Sequence, residues 1–142
     1  MVVTPCCLLI AACHQQQKLE TCGDAMAGWL KPSDGIGHLR PHSVVIVDRP
    51  SGVEWNGARI DMAALATVMI QSSEMNPVPQ IVLKIAPGAD CDHVRTVRRI
   101  MAASPICSDL KFCGEGVGWK FNSEYGGTEP IDTGADKPHI ID

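Results

Sequence analysis

Short extended runs rich in β-branched residues alternate, between residues 43 and 113, with two stretches whose apolar residues recur every three to four positions. A chain patterned this way buries its apolar positions only by laying helices on a sheet. Val44-Val45-Ile46-Val47 reads as the first strand. Arg49-Pro50-Ser51-Gly52 turns the chain, because Pro presets one dihedral and Gly accepts positive φ. Val53-Glu54-Trp55 returns as a second strand and closes a hairpin. Asn56-Gly57 is a tight-turn dipeptide leading to a short extended piece, Ala58-Arg59-Ile60.

Asp61 stands where a helix N-cap belongs, and Met62, Leu65, Ala66, Met69 and Ile70 set the apolar stripe of a helix of about four turns that ends before Asn76-Pro77. Ile81-Val82-Leu83-Lys84-Ile85-Ala86 is the clearest strand, with Ile81, Leu83 and Ile85 on one face, and Pro87-Gly88-Ala89-Asp90 ends it. Asp92 is expected to cap a second helix, whose apolar positions are Val94, Val97, Ile100 and Met101 and which Ser104-Pro105 stops. Leu110-Lys111-Phe112 is expected as the last strand.

The expected order is β-β-α-β-α-β, an α+β fold with two helices packed on one face of a small mixed sheet. The last strand–helix–strand unit is expected to be a right-handed crossover between parallel strands. In that arrangement Cys91 follows one parallel strand and Cys113 the next, so both are expected at one sheet edge, within bonding reach, with Cys107 at the opposite edge.

Residues 2–12 carry no charge, and Ile10-Ala11-Ala12-Cys13 fits a bacterial lipobox, in which small residues admit the peptidase and the Cys thiol takes the lipid. Residues 1–12 therefore read as a lipoprotein-type signal and Cys13 as the lipidation site. No Lys or Arg precedes Cys13, a departure from such signals that a start site further upstream would explain. Residues 13–42, with Gly23, Gly28, Pro32, Gly35, Gly37 and Pro41, read as a flexible tether on which Trp29 and Leu30 are either docking residues or an isolated apolar spot. Residues 43–122 form the domain, in which Val117, Trp119 and Phe121 alternate, and 123–142 read as a disordered tail. His14 in place of Asp after the lipidated Cys leans toward the outer membrane. No apolar run reaches the roughly 20 residues of a spanning helix.

Seven cysteines leave four, Cys22, Cys91, Cys107 and Cys113, once the signal and the lipid site are removed, and four allow three pairings. No C-x-x-C spacing supports a zinc ribbon or a thioredoxin-type site. Asp90-Cys91-Asp92-His93 is the densest reactive cluster and reads as a helix cap with a disulfide rather than a metal site or nucleophile. Gly114-Glu115-Gly116-Val117-Gly118 precedes no helical pattern, fails as a dinucleotide loop and reads as a flexible exit. The net charge of −4 disfavours nucleic acid, and Arg95, Arg98 and Arg99 read as a solvated helix face. No catalytic residues, cofactor or metal are assigned. The competing expectations are a small exported thiol-dependent enzyme and a cytosolic ligand-binding regulatory domain.

The stretch from Val44 to Gly114 resembles the periplasmic domain of the ExbD/TolR biopolymer-transport family. The Val-rich strand ends in Asp48, a turn carries Gly52, and Trp55-Asn56-Gly57 stands in place of an aliphatic-Asn-Gly. An acid-headed helix with Leu65 follows, then residues 81–86 running into Asp90, His93-Val94 at the second helix, and a closing strand at 110–112. The resemblance implies a non-enzymatic envelope binding or scaffold protein of the periplasm, and with the lipobox at Cys13 a lipid would take the place of the family's membrane helix. It also implies self-association and contact with envelope proteins or peptidoglycan; an exposed sheet edge, whose unpaired strand groups a second copy would satisfy, adds the expectation of a homodimer. The family's proton-carrying Asp lies in a membrane helix that has no counterpart here, so the motor role does not carry over.

Overall fold

The computed structural model describes residues 22–35, 40–48 and 51–119. The expected signal at 1–12, the expected lipid site Cys13 and the expected tail at 123–142 lie outside them. A 3-10 turn, Pro32–Asp34, precedes β1 (His42–Asp48), β2 (Gly52–Trp55) and β3 (Ala58–Ile60). Helix α1 (Met62–Ser73), β4 (Gln80–Ile85), helix α2 (Cys91–Ala103), the one-turn helix α3 (Pro105–Ser108) and β5 (Cys113–Glu115) follow.

The strands form one mixed five-stranded sheet in the order β3-β2-β1-β4-β5. The hairpins β1–β2 and β2–β3 are antiparallel, and β4 lies parallel to both β1 and β5. The fold is the expected α+β arrangement, with Ala58–Ile60 promoted from an extended piece to a paired strand. Asn56 and Gly57, at φ 49° and 82°, make the turn between β2 and β3, and positive φ at both central positions is what a two-residue hairpin loop demands. Asn56 also ties the turn to β1, its Oδ1 accepting the Val44 N–H at 2.8 Å and its Nδ2 donating to Ser43 Oγ at 3.2 Å.

Strand alternation sorts the side chains onto two faces. Val45, Val47, Val53, Ile81, Leu83 and Cys113 meet Leu65 and Met69 of α1, Val94, Val97 and Met101 of α2, and Ile106 of α3 in the main core. Val44 and Val82 point the other way and are covered by Trp119, with Leu30 and Ile46 beside them. Both long helices thus contribute to a single face. Ile81 and Leu83 are fully buried and Ile85 partly so.

The helix stripes need two corrections. Asp90, not Asp92, caps α2, its Oδ1 accepting the His93 N–H at 2.9 Å. The cap comes two residues early because Cys91 already has helical geometry. In α1, capped by Asp61, Ile70 is 51% exposed while Leu65, Met69 and Ser72 are buried. Five residues past Leu65, Ile70 has rotated about 140° away from it. Ser104 ends α2 in extended conformation, as a residue before proline should, and Pro105 opens α3 at its first position.

The last strand lies three residues later than expected. Lys111 takes φ 60°, the Phe112 N–H bonds to the Ile106 carbonyl at 3.0 Å, and the Phe112 ring lies 3.6 Å beneath the Arg40 guanidinium. Residues 110–112 therefore form the turn into β5 rather than β5 itself. Gly114 and Glu115, read as part of a flexible exit, are buried strand residues, whereas Val117 is 69% exposed and outside any strand.

Candidate functional site

The structural centre of interest is the β5 edge, where the head of α2 and an N-terminal strap converge. Residues 22–35 lie against the domain, where the sequence reading has a tether. The Leu30 N–H donates to the Cys113 carbonyl at 2.9 Å, and the Glu115 N–H donates to the Leu30 carbonyl at 3.1 Å, a parallel bridge across Gly114. Trp29 packs toward the helix-covered core and Leu30 toward the opposite face, so the strap alternates as an edge strand does. Lys31 N–H donates to Asp34 Oδ2 at 2.7 Å and starts the 3-10 turn, after which the Gly35 carbonyl accepts from Gln80 Nε2 at 3.4 Å.

Gly114 is required here for space rather than for its dihedrals. A Cβ at this position would sit 2.7 Å from the Trp119 ring and 3.0 Å from the Leu30 carbonyl oxygen. Because one of these neighbours is backbone, relief means moving the strap. Gly114→Ala is expected to cost about 1–3 kcal/mol, the usual range for overpacking. Urea unfolding checks the loss of stability, and a shift of tryptophan emission to longer wavelength checks displacement of Trp119.

Beneath the strap lies a buried ion pair. Glu115 continues the row Trp55, Val45, Leu83 across the helix-covered face, the three residues paired in register with one another and with Glu115. There it meets Arg98 of α2. The Arg98 Nε donates to Glu115 Oε2 at 3.1 Å and its Nη2 to Oε1, and the two side chains are only 6% and 5% exposed. Arg98 Nη1 donates to the Cys22 carbonyl at 2.9 Å, which ties the strap to the pair. Arg98 was expected on a solvated face; its neighbours Arg95 and Arg99 are exposed, and Arg95 pairs with Asp92. The planar two-pronged guanidinium suits both carboxylate oxygens and a carbonyl at once.

The cysteines pair as Cys22–Cys91 and Cys107–Cys113, with Cα separations of 5.2 and 5.0 Å. The expected Cys91–Cys113 bond is therefore incorrect, although each residue is bridged. The shift of β5 explains the difference. Cys113 pairs in register with Ile81, at the start of β4, whereas Cys91 follows the end of β4. The two lie at opposite edges, and Cys113 joins Cys107 at the edge where the latter was expected. The residue that reaches Cys91 comes from the strap.

A Cys91 sulfur held in a disulfide has no thiolate, so a Cys91/His93 nucleophile is not formed. His93 is half-buried, with Nε2 enclosed and without a hydrogen-bond partner among the described residues. No group of three His, Cys, Asp or Glu suited to a metal ion occurs among the described residues, and no helix there is long and apolar enough to cross a membrane.

The opposite sheet edge is β3, three residues long with Arg59 at its centre. Arg59 bonds Asp48 through both terminal nitrogens, at 3.1 and 3.0 Å, and lies over Gly52, where a Cβ would fall 1.5 Å from its Nη1. A short edge bearing a charged residue resists strand addition, and the β5 edge is covered by Leu30.

No family model matches the chain, and neither the curated proteins nor the solved structures include a match.

Sequence reasoning missed the strap and the buried Arg98–Glu115 pair. The available signal for the strap was Trp29-Leu30, two large apolar residues in a polar stretch, together with an unassigned Cys22. The ion pair had none, because a charged residue on α2 and another after Phe112 meet only through the β5 register.

Proposed function

We propose that this chain is a non-enzymatic binding or scaffold module of the bacterial envelope, related to the periplasmic component of the ExbD/TolR systems and anchored by lipid at Cys13. The observation that carries the reading is that all four cysteines between residues 22 and 119 are paired in two disulfides. Such bonds persist in oxidising, extracytoplasmic compartments and are rare in the cytosol, which counts against the cytosolic regulatory reading. The loss of a free thiol at Cys91 counts against the thiol-dependent enzyme. The β-β-β-α-β-α-α-β order, which keeps the expected succession with one added strand and one added helical turn, and the two long helices on one face support the family reading, and the lipobox supports the anchor.

The module's partners in this reading are envelope proteins or peptidoglycan. Pairing between copies through a sheet edge is not part of it, because one edge is covered and the other is short and charged. Metabolic labelling with palmitate, compared between the native chain and a Cys13→Ala variant, tests the anchor. Label lost with the substitution, and the native chain sedimenting with membranes, are the expected results. Equal labelling, or recovery of the native protein with reduced cysteines from the cytosol, would defeat the reading.

A further inference from the structure

We propose that the Cys22–Cys91 disulfide is a latch opened by a dithiol protein, and that its opening releases the strap at residues 22–35 from the β5 edge while the domain stays folded. The two disulfides differ in access. Cys107 and Cys113 are 4% and 1% exposed, inside the main core. Cys91 is exposed on the first turn of α2 and Cys22 is only half-buried. Thiol–disulfide exchange requires a thiolate to reach a sulfur atom, so an external dithiol meets the first bond and not the second.

What the latch holds is separable from the core. No strap residue is among the buried residues of the main core; Cys22 and Trp29 pack only at its margin. Apart from the disulfide, the contacts that hold the strap include the two Leu30 backbone hydrogen bonds, the Cys22 carbonyl on Arg98, a hydrogen bond of 3.4 Å from Gln80 Nε2 to the Gly35 carbonyl, Pro32 against Gly116, and the side chains of Trp29 and Leu30. Segments of this kind, with few buried contacts, open at lower free energy than the domain as a whole. Arg98 keeps both bonds to Glu115 when the Cys22 carbonyl leaves, so opening strands no charge.

The exchange balances with a protein dithiol as the reductant. Its thiolate attacks the sulfur of Cys91, the exposed residue of the pair, the Cys22–Cys91 bond breaks, and Cys22 leaves as a thiolate that takes a proton from water. The second thiol of the reductant then attacks the mixed disulfide. Cys91 is freed as a thiol, and the reductant carries away the new disulfide, oxidised by two electrons. The Cys113 carbonyl and the Glu115 N–H, previously paired with Leu30, are left open at the sheet edge.

The test uses the full chain with dithiothreitol as the dithiol, alkylation of the thiols released, and amide hydrogen exchange read by mass spectrometry. Cys22 and Cys91 are expected to be alkylated at least about tenfold faster than Cys107 and Cys113. Exchange at residues 22–35 and at Glu115 is expected to rise at least about tenfold, with β1 and β4 unchanged. A Cys22→Ser/Cys91→Ser double variant should show the same exchange pattern without reductant. Equal reduction of both bonds, opening accompanied by exchange throughout β1 and β4, a strap that stays protected after reduction, or a double variant that does not fold would each overturn the proposal. Every readout is a property of the isolated chain, so the outcome is independent of the envelope reading.

Discussion

Glu115→Ala is expected to remove about 3–5 kcal/mol of stability, the cost of leaving a buried charge without its partner. The arginine it abandons is 5% exposed, enclosed between α2 and β5, and cannot be re-solvated without opening that contact. Arg98→Ala leaves the opposite charge in the same position and should cost a comparable amount. An Arg98→Met/Glu115→Leu double variant should lie far closer to the native protein, because apolar side chains of similar volume avoid the desolvation of both ions. Urea unfolding of the four proteins makes the comparison. In a domain of this size each kcal/mol shifts the melting temperature by about 4–8 °C, so the single variants should fall by more than about 12 °C. Single variants within about 1 kcal/mol of native would show that water reaches the pair, as at a surface ion pair. The comparison also isolates the strap: Arg98→Ala removes the donor to the Cys22 carbonyl, whereas Glu115→Ala leaves it in place.

That pair marks the boundary of what could be read from the chain. The hairpin, both long helices and β4 are encoded locally, by β-branched runs, Asn56-Gly57, capping aspartates and three-to-four residue spacing. Each is formed by residues adjacent in sequence. Strand β5 is not of that kind. Cys113-Gly114-Glu115 contains no β-branched or aromatic residue, and nothing in its own composition favours extension. It is extended because β4 on one side and Leu30 on the other satisfy its backbone groups. The alternating Leu110-Lys111-Phe112 offered a better local strand and lost to that pairing.

The remaining differences follow from this one displacement. A three-residue shift moves Cys113 from one end of the sheet to the other and exchanges its disulfide partner. The same shift turns Glu115 inward to Arg98, because side chains alternate along a strand. The strap was illegible for a related reason. Gly23, Gly28 and Pro32 punctuate it as they would a linker, and its order comes from a disulfide and an edge that the local sequence does not describe.

Helix α1 provides the sharpest test of the packing itself. Leu65→Ala is expected to cost about 2–5 kcal/mol, the transfer free energy of the lost methyl groups plus the cavity they leave. Leu65 is fully buried where α1 meets the sheet, and its neighbours Met69, Val47 and Val53 belong to the same core. Ile70→Ala, on the same helix and with a larger aliphatic side chain than alanine removed in the same way, is expected to change stability by no more than about 0.5 kcal/mol, as for surface substitutions. Isoleucine is exposed there, and alanine is the better helix former, which offsets part of the loss of contact. Denaturant midpoints of the two variants decide the orientation of the helix. An Ile70→Ala loss as large as that of Leu65→Ala would rotate α1 about its axis, back toward the stripe that spacing alone suggested, or place a second apolar surface over Ile70.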